Sequence, residues 1–409
     1  MKTNIGFLLI PLLISGASVQ ARFLEGSQQK GEKSKISRDD EIHRAVDPMG
    51  AAIEDLAEEA RRELHRLTCE DLHSAVCGTI GHQDYMRRFE ERKDAIKDKA
   101  ARRTARTYRI NPENFWGRLA EIKAENSALE ERIYDHYIRN IGRELHRLLH
   151  DEDLTSQFMR MNDYYKMRRA MGAAIDAQDL PDETKGTMKG KVGDLEFIWP
   201  DQFFLEGNEI SKEERDEFKM FCGFDGMNYR DAYFNVRNNK TYMVLCPGTL
   251  LAAVTPGLEG VPMSLSARFE YLAFVIGHEI GHIIDTREHA GAFDRMSGCV
   301  ANEFVPSPSN YMREISADYW SAEALFQHLN NNGDQEEIRN FLTRSFNIIC
   351  LGDDDGKHPA VIIRLNTFIG RNPNLRRIAG CEPPIAAEPA CTIAGETPAP
   401  PAEASTTSP

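Results

Sequence analysis

The chain has 409 residues, 41% of them hydrophobic, and a formal net charge of −14. That length allows two domains, and the apolar content allows a sizeable core. The acidic balance argues against a nucleic-acid partner, which would need a basic face.

In chain order, residues 1–21 read as a secretory signal peptide. Lys2 precedes an apolar run from Ile5 to Ile14, and Val19-Gln20-Ala21 fits a cleavage site after Ala21. The run is short and broken by Pro11 and Gly16, so no stable membrane anchor is expected after cleavage. A secreted or periplasmic location follows. Residues 22–38 are polar and read as a flexible leader. Residues 39–180 form a helical region, with Ile53, Leu56, Ala60, Leu64 and Leu67 recurring at three and four. Trp116 to His150 continues the pattern, with a break expected near Asn140-Ile141-Gly142.

From residue 181 the texture changes. Thr241–Leu245 reads as a short strand, and helical patterns return at Ser266–Thr286, Tyr311–Leu329 and Glu336–Ile349. The expected class is mainly α with a small β-sheet. Residues 383–409, rich in Pro, Ala, Ser and Thr, read as a disordered tail. The eight cysteines (Cys69, Cys77, Cys222, Cys246, Cys299, Cys350, Cys381 and Cys391) suit disulfides in an exported chain. Sequential pairing is the simplest arrangement, because each pair then closes a short or moderate loop.

The stretch FVIGHEIGHIID carries His278, Glu279 and His282 as H-E-x-x-H. On a helix, residues four apart share a face, so both imidazoles reach one ion. The neighbouring Glu279 can approach a water held there. The preceding YLAFVIG implies a largely buried helix, where unpaired imidazoles and a carboxylate are costly without a metal. Two nitrogens and a carboxylate suit zinc. YMREISADYW supplies that carboxylate in Glu314, the third ligand. Asp285 and Asp318, each one turn from a ligand, can accept hydrogen bonds from the ligand histidines and fix their tautomers. A Cys299–Cys350 bridge would clamp the Glu314 segment beside the zinc helix.

VIGHEIGHIID followed by EISAD resembles the neprilysin and endothelin-converting-enzyme family of zinc peptidases, in reduced size. DAYFNVRNNKTYMVLCPGTLL, from Asp231, is similar to that family's substrate-binding strand and turn. His358-Pro-Ala-Val-Ile-Ile-Arg364 keeps its His-to-Arg spacing. The resemblance covers Asn228 to Cys381. It implies a thermolysin-like zinc-peptidase domain over residues 181–382, with residues 39–180 as a short helical roof over the cleft. It further implies one Zn²⁺ per chain, Glu279 as the base, His358 as oxyanion stabiliser, and Asp231, Ala232 and Arg364 as substrate-backbone contacts. The substrate class is a peptide or an unfolded polypeptide. Asp231 stands where the family has Asn, and an ionised Asp can only accept hydrogen bonds. The family's terminal Cys-x-x-Trp is missing. These departures motivate an alternative, a decayed peptidase acting as a secreted binding or scaffold protein. A different zinc-peptidase family with E-x-x-A-D is a third reading, and His358 and Arg364 discriminate against it.

Overall fold

The computed structural model describes residues 54, 57–78, 80–149, 155–198, 211–224, 226–227, 232–237, 240–255, 265–284, 309–330, 332–351 and 358–381. The expected signal peptide, leader and tail lie outside them, as do Asp231, Asp285, Cys299 and Cys391. The described residues are mostly helical, with one small sheet. In order they form α1 (57–70), α2 (Leu72–Cys77), α3 (Ile80–Tyr108), α4 (Phe115–Glu125), α5 (Ser127–Leu149), α6 (Thr155–Ala177) and α7 (Asp182–Asp194). Then come β1 (Glu196–Ile198), α8 (Lys212–Cys222), β2 (Ala232–Arg237), β3 (Lys240–Leu245), α9 (Pro247–Val254), α10 (Leu265–Ile283), α11 (Ser309–Leu329) and α12 (Gln335–Phe346). A 3₁₀ turn at Asn347–Leu351, a helical stretch ending in a π-turn at Arg364–Ile369, and α13 (Pro373–Ile378) complete the described chain.

Strand β3 is central, parallel to β1 and antiparallel to β2, in the order β1-β3-β2. Tyr233 faces Val244 and Ala232 faces Leu245 across the β2–β3 ladder. The expected strand Thr241–Leu245 is thus β3, one residue longer. The three helices expected in the second half appear as α10, α11 and α12 with end shifts of a few residues. The start of α12 is sharp because Asp334 accepts from the amides of Glu336 and Glu337, while the Glu337 side chain accepts from the Asp334 amide.

One expected break moves. The helix from Trp116 onward is interrupted at Asn126, not at Asn140–Gly142. Asn126 has an extended backbone (φ −156°, ψ 91°), and its side chain accepts from the Leu129 amide at 3.1 Å, which caps α5. Asn140 sits inside α5, where its amide donates to Thr104 at 3.0 Å in a buried contact with α3. Tertiary satisfaction of that polar side chain removes the reason to break the helix there.

One core runs through both halves of the chain. Phe89, Tyr137 and Met167 from the helical region join Leu251, Phe274, Trp320 and Leu365. Burying a side chain such as Phe274 contributes about 1.5–3 kcal/mol. Helix α6 packs against both α10 and α11, and α5 packs against α9. Much of the helical region therefore supports the second half directly.

Two of the three disulfides among the described residues tie the same two halves together. Cys69 pairs with Cys381, Cys77 with Cys350, and Cys222 with Cys246. Only the last follows sequential pairing. Cys350 is taken by Cys77, which overturns the Cys299–Cys350 bridge. The physical reason is that loop-closure entropy grows only logarithmically with length, so proximity in sequence is a weak guide to pairing. Packing of α2 against α12 and the 3₁₀ turn places Cys77 beside Cys350.

Candidate metal centre

Helices α10 and α11 make the most extensive helix–helix contact among the described elements, and two glycines let them approach. A methyl group on Gly281 would lie 2.9 Å from Cα of Ala317 and 3.2 Å from Cβ of Trp320. One on Gly277 would lie 2.6 Å from Oγ of Ser321. The two glycines are one turn apart in G-H-E-I-G-H, opposite Ala317 and Ser321, also one turn apart. The close crossing follows from small residues on both faces. It brings His278 and His282 against Glu314 and Asp318.

Nε2 of His278 is 3.1 Å from Nε2 of His282 and 3.2 Å from Oε2 of Glu314, and the His282–Glu314 separation is 3.5 Å. Donors at about 2.0–2.1 Å from a tetrahedral zinc lie about 3.3 Å from one another. The three donor atoms therefore already form one face of such a tetrahedron. A ligand atom of Glu279 lies within 4.8 Å of those of both histidines. Glu279 and His278 are buried.

The tautomers agree with a metal site. Nδ1 of His278 donates to Oδ1 of Asp318 at 2.9 Å, which turns Nε2 toward the donor triangle. Oε2 of Glu314 and Nδ1 of His282 are buried without a directed hydrogen bond among the described residues. A buried carboxylate oxygen in that condition costs about 1–3 kcal/mol or more, unless a cation fills the space in front of it. The donor set, two imidazoles and a carboxylate, fits zinc.

The electrostatics of the metal-free protein point the same way. Burial opposes the charged form of His278, but Asp318 and Glu314 outweigh it and raise its pKa to about 10. A proton there occupies a field built for positive charge. Burial also opposes ionisation of Glu314, yet the surrounding imidazoles hold its carboxyl far below the usual range. For Asp318 burial is outweighed by Arg364 and His278, and its pKa falls to about 2. His282 is pushed down, chiefly by burial.

His358 joins this group although it is distant in sequence. Its Nε2 lies 3.2 Å from Oε2 of Glu314, and its side chain is half-buried. Arg364 is buried and grips Asp318 through Nε at 2.8 Å and Nη2 at 2.6 Å. Asp318 is therefore a hub, accepting from His278 on one side and from a guanidinium fork on the other. Sequence reading assigned it the histidine but not the arginine. Ala232 opens β2, the edge strand, which packs near α10. Gly277 and Gly281 were missed as site residues, although their four-residue spacing inside the motif was visible.

No family model matches the chain, and no curated protein matches it. Among solved structures, it is similar to a Mycobacterium tuberculosis zinc metalloprotease crystallised with an inhibitor, at 14% identity and a TM-score of 0.36. The match covers 60% of this chain and 47% of that one, so the chain spans just under half of that protein's length.

Proposed function

We propose that this chain is an exported zinc-dependent peptidase, an endopeptidase or oligopeptidase of the neprilysin-like kind. The observation that carries this reading is the donor triangle of His278, His282 and Glu314 at tetrahedral-edge spacing, with the Glu279 carboxylate beside it. Zinc held there would acidify a water molecule and polarise the scissile carbonyl. Glu279 takes the proton from the attacking water and passes it to the leaving amine nitrogen. His358, next to Glu314, donates to the carbonyl oxygen as negative charge develops on it. Asp318 keeps His278 in the metal-binding tautomer and holds Arg364, which contacts the substrate backbone. Strand β2, which begins at Ala232 and ends the described sheet, together with Asp231 just before it in sequence, is the segment that would lie along an extended peptide.

Export is supported by the apolar N-terminal run and by the disulfides, which persist in oxidising compartments. No helix among the described residues is long and apolar enough to cross a membrane. The substrate-size reading follows from packing. Helix α6 is committed to α10 and α11, which leaves less of residues 39–180 to roof the cleft. An open cleft admits unfolded polypeptides as well as short peptides.

The test is cleavage of a peptide library, followed by mass spectrometry, before and after chelation. Chelator-sensitive cleavage restored by zinc supports the reading; binding of peptides without cleavage would favour the decayed-peptidase scaffold. A competition between a ten-residue peptide and an unfolded protein with the same site tests the open cleft. Cleavage of the short peptide alone would refute it.

A further inference from the structure

Cys350 and Cys381 bracket the segment that carries both His358 and Arg364. Their partners, Cys77 and Cys69, lie on the consecutive helices α1 and α2, joined through Asp71. This one helix pair thus holds both ends of that segment. Between the staples, Arg364 begins a π-turn that ends at Ile369. The wide turn is closed by the Gly370 amide donating to the Leu365 carbonyl at 2.7 Å. A methyl group on Gly370 would lie 2.5 Å from that carbonyl oxygen, so the turn needs glycine there. A π-turn is less favourable than α-helix and persists where surroundings enforce it.

The surroundings are again α1 and α2. Asn366, inside the π-turn, donates from Nδ2 to Oδ1 of Asp71 at 2.9 Å. Its Oδ1 accepts from the His73 amide at 2.8 Å. Both polar atoms of one amide are therefore satisfied by residues about 290 positions away. Arg376 adds a second link, donating to the Cys69 carbonyl at 2.6 Å and to the Gly370 carbonyl at 3.3 Å.

We propose that the α1–α2 helix pair is a positioning clamp for the candidate active site, in which Asp71 and Asn366 fix the π-turn that aims Arg364 at Asp318. This rests on the peptidase reading for its kinetic consequence, but not for its structural one. Neither residue touches the donor triangle. They act through Arg364 and Asp318 on His278, and through the stapled segment on His358.

The experiment uses the full mature chain with zinc. Asn366→Asp places a carboxylate against the Asp71 carboxylate and removes the donor. Adding Asp71→Asn to it restores one donor and one charge at the same contact; the new amide oxygen takes the place of Oδ2 and still accepts from the Ser74 hydroxyl, while the Ser74 amide loses its contact with Oδ1. Hydrogen exchange across 361–369, zinc retention against a chelator, and kcat and KM are read for each variant. The single variant should exchange about tenfold faster in that segment and lose about tenfold in zinc retention and in kcat, the scale expected for groups that orient metal ligands indirectly. The double variant should recover most of all three. Unchanged exchange in the single variant, a uniform rise across the whole chain, or no recovery in the double variant would overturn the clamp. Should Asn366→Asp not fold, Asn366→Ser removes the amide without adding charge and carries the same expectation at smaller size. If the native chain cleaves no peptide, the peptidase reading fails, while exchange and zinc retention still decide the clamp.

Discussion

Two buried carboxylates in this molecule are satisfied in different ways. Glu144, on α5, is met by the Arg103 guanidinium, by Arg147 at 3.0 Å and by Lys99 at 3.9 Å. Glu314, on α11, faces the imidazoles of His278, His282 and His358 at 3.2, 3.5 and 3.2 Å, with Oε2 lacking a directed hydrogen bond among the described residues. The first is a closed unit, in which permanent cations from the chain balance the charge. The second is met, among the described residues, by imidazoles, which can give up their protons. Glu144 thereby ties the scaffold together, whereas the imidazoles around Glu314 can exchange a proton for a cation, as the proposed zinc site requires; Asp318, held by both Arg364 and His278, links the two kinds of support.

The largest expected effect separates chemistry from metal holding. Glu279→Gln should lower kcat about a thousandfold, within the range for loss of a general base, and leave zinc content unchanged. Assays of turnover and metal on one preparation check this. Next, if Glu314 is a ligand as proposed, Glu314→Gln should weaken zinc retention by more than about a hundredfold, beyond the loss expected for a residue that only orients a ligand. Glu144→Gln should leave zinc untouched and lower stability by about 1–3 kcal/mol in denaturant unfolding, as a buried charge-assisted contact weakens. If both variants lose zinc equally, the contrast between the two carboxylates collapses.

Gly281→Ala lies between these extremes. Its added methyl meets Cα of Ala317 at 2.9 Å, so α10 and α11 must separate. A destabilisation of about 1–3 kcal/mol is expected, accompanied by weaker zinc retention, because the donor triangle spans the two helices. Loss of stability with full zinc affinity would mean that the site tolerates helix separation.

The effect most remote from the candidate site concerns a buried group satisfied in its neutral form. The Tyr164 hydroxyl donates to the Leu195 carbonyl at 2.9 Å, and burial pushes its pKa up to about 12. The unfolded chain titrates near 10, so the contribution is fully present below about pH 10 and is lost as pH rises toward 12. The loss amounts to about 2–3 kcal/mol. Tyr164→Phe should flatten that alkaline decline in stability, measured by denaturant unfolding across pH 9–12.

The parts of the molecule that were legible in the sequence are those written in local spacing. Helices α10 and α11, strand β3 and the cluster of His278, Glu279, His282 and Glu314 follow from periodicity and from ligand chemistry. The disulfide partners of Cys69 and Cys77 did not, because they depend on where α1 and α2 dock. The helix break at Asn126 was missed because Asn140 and Gly142 looked equally able to break the helix; only the buried contact with Thr104 distinguishes Asn140. Asn366 carried no local signal, since both of its partners lie near the other end of the chain.

The central claim is that the imidazole-supported carboxylate belongs to a zinc site. Elemental analysis of the natively purified chain, after dialysis against metal-free buffer and then after zinc re-addition, tests it most directly. The account predicts about one zinc per chain, retained through dialysis and absent in Glu314→Gln. A native chain that carries no zinc and takes up none would contradict it.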